Sequence, residues 1–108
     1  MQKDLNVCDL LEVYGMLLTE RQQDSLRLYY EEDLSLAEIA EHQKISRQGV
    51  MEAVRAGSRQ LYHYEEHLGL LKKKEKMADY LEQIEALGES NEELMQIVQK
   101  LKECIHGI

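Results

Sequence analysis

The chain has 108 residues, enough for one domain or a small domain with an appendage, and a formal net charge of −8. Apolar residues make up 44% of it, but Phe, Trp and Pro are absent, so a core has to come from Leu, Ile, Val, Met, Ala and six Tyr. Without proline the strongest helix breaker is missing, and the Glu, Leu, Lys and Gln content favours helix, so an all-α fold is expected. No apolar run approaches the roughly 18 residues that suggest a membrane span. Acids interrupt the apolar part of MQKDLNVCDLLEV, and no small-residue cleavage site follows, so no signal peptide is expected. The expectation is a cytoplasmic protein with no membrane insertion. Cys8 and Cys104 stand far apart without CxxC spacing, which suits two buried thiols better than a disulfide.

In chain order, the first predicted helix covers residues 5–18, with Leu10, Leu11, Tyr14, Leu17 and Leu18 on its apolar stripe. Thr19 followed by Gln22 is a capping box, in which each side chain satisfies an orphaned backbone N–H. It opens a helix reaching about Tyr30, with Leu26, Tyr29 and Tyr30 as its apolar face. Glu31-Glu32-Asp33 reads as a turn. Ser35 and Glu38 form a second capping box for a short helix through His42. Gln43-Lys44-Ile45 is the next turn, and Ser46 caps a long helix to about Leu68. Gly69 is a plausible stop. Beyond it, KKKEK at 72–76 precedes a stripe of Met77, Tyr80, Leu81, Ile84 and Leu87. Gly88 and Ser90 mark a turn, and Ser90 with Glu93 reads as a third capping box. The last helix carries Leu94, Ile97, Val98, Leu101 and Ile105 on one face.

Residues 36–54 have the packing pattern of a helix-turn-helix. Such a unit needs a small residue where its two helices approach, here Ala40, and apolar residues that lock the pair. Leu36, Ile39, Ile45, Val50 and Val54 have that spacing. If Val50, Val54, Gly57 and Leu61 face the core, steps of about 100° per residue place Gln48, Glu52, Arg55 and Arg59 on the exposed face. Arg47 then sits at the start of the second helix, where a recognition helix meets bases and phosphates.

The stretch LTERQQDSLRLYYEEDLSLAEIAEHQKISRQGV resembles the fourth, promoter-binding region of bacterial sigma factors. More closely, it resembles the small YlxM-type proteins of Gram-positive bacteria, through Leu18, Gln22, Leu26, Tyr30, Leu36, Glu38, Ile39, Ala40, Ser46, Arg47 and Val50. The motif match covers about residues 17–65, and the length of the chain suits the same family. The resemblance implies a cytoplasmic DNA-binding regulator. It also implies a link to the signal recognition particle, whose genes usually neighbour those of the family. Two features depart from the pattern. Gln43-Lys44 stands where these motifs usually carry an apolar residue and then Gly, so a non-Gly residue must tolerate left-handed geometry or the turn must open. Gly49, inside the second helix, costs about 1 kcal/mol relative to Ala and offers no side chain to a base.

Charge is segregated. Residues 44–59 hold Lys44, Arg47, Arg55 and Arg59 against Glu52, a local +3 that leaves −11 for the rest. A DNA binder needs such segregation, because phosphate contacts supply most non-specific affinity. On this reading Arg47, Gln48 and Arg55 are candidates for base edges, and Lys44, Ser46 and Arg59 for phosphates. Glu52 in the middle of the face either accepts from a cytosine amino group or repels the backbone. The alternative is a helix-turn-helix scaffold that binds signal recognition particle protein or RNA without reading DNA.

HYEEH at 63–67 matches the H-x-x-E-H pattern of some zinc peptidases, with His63 and His67 four apart. Those enzymes need a third ligand and a substrate cleft, so the same residues read better as a solvated helical turn, and no metal site is expected. KKKEK reads as a solvated hinge, or as a contact for RNA or an anionic surface. Tyr62, Tyr64 and Tyr80 read as packing residues. No nucleophile–base pair or phosphate loop is visible, so neither an enzyme nor a bound cofactor is expected. The two C-terminal stripes each need an apolar partner, either each other or a second chain, and a homodimer is expected. The whole then reads as a sigma-factor-like helix-turn-helix bundle over residues 1–69 and a C-terminal helical hairpin over 70–108, the latter for packing or dimerisation.

Overall fold

The computed structural model describes residues 6–108, and among them every regular element is helical. Six α-helices follow in order: α1 Asn6–Tyr14, α2 Glu20–Leu26, α3 Leu36–Gln43, α4 Arg47–Leu68, α5 Leu70–Leu87 and α6 Glu92–His106. The chain divides into two compact units between Leu68 and Gly69. Gly69 has a left-handed φ of +61°, which glycine adopts without the Cβ penalty of other residues.

The first unit is organised around α4, against which α1, α2 and α3 all pack. The inner face of α4 is Val50, Ala53, Val54, Gly57 and Leu61, all buried at helical spacing. Facing inward from the other helices are Leu10, Leu11 and Tyr14 of α1, Leu26 of α2, and Ile39 and Ala40 of α3. Of the glycines in this unit, Gly57 is the most closely approached. A Cβ there would lie 2.8 Å from Leu26 Cδ1 and 3.3 Å from Gln22 Cβ, so α2 is packed directly against the α4 backbone. Farther along α4, the Tyr14 hydroxyl donates to the Glu65 carboxylate at 2.6 Å, and its ring centroid lies 5.8 Å from that of Tyr64.

Local chemistry sets most helix starts. The Thr19 hydroxyl accepts from the Gln22 N–H and the Gln22 side chain accepts from the Thr19 N–H, both at 3.2 Å. The same reciprocal box joins Ser35 and Glu38 at 3.0 and 3.1 Å. The hydrogen bonds from Ser35, backbone first and hydroxyl second, hold the exposed Glu38 carboxyl below the usual carboxylate range. Its share of the cap is therefore present at neutral pH and is lost as the pH falls through that lowered value.

Three expectations need correction. Leu5 lies outside the described residues, and α1 ends at Tyr14, giving way to a 3-10 turn at Gly15–Leu17. Tightening to three residues per turn breaks the helical stripe, so Leu17 is 53% exposed while Leu18 remains buried. Ser90 does not cap the last helix. A turn from the Asn91 N–H to the Gly88 carbonyl, at 2.9 Å, places Asn91 in extended backbone, and its Oδ1 accepts from the Leu94 N–H at 3.0 Å. Cys104 is exposed rather than buried, and Cys8 is half-buried. After α2 the helix widens into a π turn at Arg27–Glu31, where the Glu32 N–H reaches the Arg27 carbonyl at 3.0 Å.

The corner between α3 and α4 turns on Lys44, whose φ of 58° and ψ of 42° are left-handed. The Ile45 N–H reaches back to the Ala40 carbonyl at 3.1 Å, the six-to-one bond of a Schellman turn. Ser46 then caps α4, its Oγ accepting from the Gly49 N–H at 3.0 Å.

In the second unit α5 and α6 pack on each other, with Leu81 and Val98 buried. A Cβ at Gly88 would meet Leu94 Cδ2, so a side chain there requires Leu94 to shift. Lys102 and Glu85 form an ion pair across the two helices.

Two substitutions test this packing. Gly57→Val is expected to cost about 1–3 kcal/mol in urea unfolding, because α4 cannot take volume against Leu26. Lys44→Gly is expected to raise stability by up to about 1 kcal/mol by relieving left-handed strain, and Lys44→Val to lower it.

Candidate nucleic-acid interface

The packing of α4 decides which of its side chains meet solvent. With Val50, Val54, Gly57 and Leu61 buried, the stripe of Gln48, Glu52, Arg55 and Arg59 is exposed along its length. Arg47 is exposed in the first turn, and Lys44 and Ser46 are exposed at the corner before it. Seven polar side chains named from the sequence, Glu52 among them, thus lie on the corner and on the exposed side of α4. The helix-turn-helix residues divide differently. Ile39, Ala40, Val50 and Val54 are buried, whereas Leu36 and Ile45 are half-buried at the edges of the pair.

The electrostatics of this side are simple. Among the described residues, Lys44, Arg47, Arg55 and Arg59 take part in no ion pair, and pairs such as Arg27 with Glu31 and Lys102 with Glu85 lie elsewhere. The guanidinium groups are left to solvent or to a ligand. Glu52 is exposed among them. Ser46 uses its oxygen as an acceptor for the Gly49 N–H, which leaves its own O–H available to donate.

The two departures in the motif have structural counterparts. Gln43 is half-buried, and its Oε1 accepts from the hydroxyl of the fully buried Ser25 on α2 at 3.2 Å. A polar residue at this position is therefore satisfied from a neighbouring helix. Gly49 sits against its own cap: a Cβ there would lie 3.3 Å from Ser46 Oγ and 3.5 Å from Ile45 Cδ1. Neither Ser25 nor the close approach at Gly57 carries a sequence signal that separates it from an ordinary helix residue. A different group meets in the last turn of α4, where the donor atoms of His63, Glu66 and His67 lie within 4.8 Å of one another.

Comparison with known proteins agrees with this architecture. A family profile described as "Putative helix-turn-helix protein, YlxM / p13 like" matches residues 1–103. A UPF0122 protein of Clostridium perfringens is 41% identical over 112 aligned positions, which cover 99% of this chain and 100% of that one. A UPF0122 protein of Clostridium kluyveri is 44% identical over 79, covering 73% and 71%. Another, from Desulforamulus reducens, is 49% identical over 72, covering 66% and 62%. The match spans both units, so the helix-turn-helix and the helical pair after it go together: the chain belongs to the YlxM/p13-like helix-turn-helix family.

Proposed function

We propose that the protein is a non-enzymatic DNA-binding regulator that reads DNA through the N-terminal half of α4. The observation that carries this reading is the set of exposed cations Lys44, Arg47, Arg55 and Arg59 around Gln48 and Glu52, none of the four in an ion pair among the described residues, in a chain whose net charge is −8. Arg47 and Arg55 fork onto guanine edges and Gln48 onto adenine, while Lys44, Ser46 and Arg59 hold phosphates. The −11 carried by the rest of the chain then disfavours DNA on its other surfaces and orients the approach. This work belongs in the cytoplasm, consistent with the absence of any described helix long and apolar enough to cross a membrane.

One monomer of this size makes few base contacts, so useful specificity calls for two copies on paired half-sites. The second unit supports a homodimer. Tyr80 is 60% exposed and Leu87 90%, and Ile97 and Leu101 are also open, although all four lie on apolar stripes. Two helices alone cannot cover both stripes. A second chain completes them.

A second reading, contact with the protein or RNA of the signal recognition particle, draws on the family's gene neighbourhood and on Lys72, Lys73 and Lys76, exposed at the start of α5. The two readings separate experimentally. Binding to genomic fragments across a salt series is expected to select particular sequences. Arg47→Ala and Arg55→Ala are each expected to cost about 1–3 kcal/mol on those fragments. Arg59→Ala is expected to weaken all fragments alike and to reduce the salt slope by about 1. Steep, sequence-blind DNA binding, with tight particle binding indifferent to the arginines, refutes DNA reading. For the dimer, Ile97→Glu/Leu101→Glu is expected to shift sedimentation from dimer to monomer while the circular dichroism remains helical.

A further inference from the structure

The last turn of α4 carries three side chains that the DNA reading does not use. We propose that His63, Glu66 and His67 form a binding site for a divalent transition-metal cation, represented by zinc, with one coordination position open to water or a further ligand.

Positions i, i+3 and i+4 share one face of a helix, so the three side chains project together. One ring nitrogen of each histidine and a carboxylate oxygen of Glu66 already lie within 4.8 Å of one another. Ligand atoms held about 2.1 Å from a tetrahedral zinc are about 3.4 Å apart, so each pair has to close by at most roughly 1.4 Å. All three residues are exposed, and small rotations of their side chains cover that distance.

The orientation of one imidazole is set in advance. His67 Nδ1 lies 2.9 Å from the His63 backbone carbonyl, which can only accept, so Nδ1 carries the proton and Nε2 keeps the free lone pair. A hydrogen bond from the far ring nitrogen to a backbone carbonyl is how ligating histidines are usually held. The His63 and His67 rings stand 4.4 Å apart between centroids and 50° from parallel, so the two imidazoles are already neighbours.

Charge favours a cation here. Glu66 contributes a carboxylate, and the site lies at the negative end of the α4 dipole. Arg59, one turn before His63, is the nearest cation along the helix, and Glu66 offsets it. Glu65 is engaged by the Tyr14 hydroxyl, which leaves Glu66 as the carboxylate beside both histidines. Two imidazoles and one carboxylate suit zinc, nickel or copper, whereas magnesium and calcium prefer oxygen ligands alone. A peptidase built on this motif also needs a third ligand and a substrate cleft. Binding without catalysis needs no cleft.

The test uses the full-length chain without a histidine tag. Calorimetric titration with Zn²⁺, and visible absorption with Co²⁺, are expected to show one ion per chain. His63→Ala, His67→Ala and Glu66→Gln are each expected to weaken binding about tenfold or more. Cys8→Ser/Cys104→Ser is expected to leave it unchanged, and Mg²⁺ or Ca²⁺ in excess not to compete. Circular dichroism of each metal-free variant distinguishes a lost ligand from a lost fold. Absence of Zn²⁺ binding by the wild type overturns the proposal. So does undiminished affinity in a folded His63→Ala/His67→Ala variant, or a Co²⁺ spectrum showing cysteine thiolate ligation.

Discussion

The first unit depends on how closely other helices can approach α4. At Gly57 the missing Cβ lets Leu26 and Gln22 of α2 rest on the α4 backbone, with Leu26 fully buried. On the same face Val50, Val54 and Leu61 are buried in one row. Packing of this density leaves little freedom for α4 to rotate about its axis. The exposed row of Gln48, Glu52, Arg55 and Arg59 is a consequence of that fixed rotation. A helix free to turn by one residue would present a different row.

The corner that leads into α4 is held by hydrogen bonds on both sides of its turn. Lys44 takes the left-handed conformation, Ile45 closes back onto the Ala40 carbonyl, and Ser46 receives the Gly49 N–H. Gln43 is met by the Ser25 hydroxyl from α2. Strain at Lys44 is therefore held by hydrogen bonds on both sides of it. Placing a lysine at this position also puts a cation beside the first turn of α4, where an uncharged glycine would be the easier backbone choice.

The second unit follows a different logic. Two helices joined by a short turn bury Leu81 and Val98 but leave Tyr80, Leu87, Ile97 and Leu101 open. Their apolar stripes are wider than one helical partner can cover. Charge follows a similar division of labour along the chain. The cations between residues 44 and 59 belong to the corner and α4, and every acid but Glu52 lies outside that stretch.

The sequence by itself determined what depends on near neighbours along the chain. All-α character follows from composition. The starts at Thr19 and Ser35 follow from capping boxes, because a cap satisfies backbone groups only three residues away. The period of Val50, Val54 and Leu61 is enough to separate a buried from an exposed side of α4. At the start of the last helix the same local logic fails, because Ser90 and Asn91 are adjacent and equally suitable caps, and the turn from Gly88 chooses Asn91. What only the tertiary structure decided lies in contacts between residues distant in sequence. Examples are the bond from Ser25 to Gln43, the seat of Leu26 on Gly57, and the hold of Tyr14 on Glu65. No local pattern encodes these pairings, because they exist only once separate helices are packed side by side.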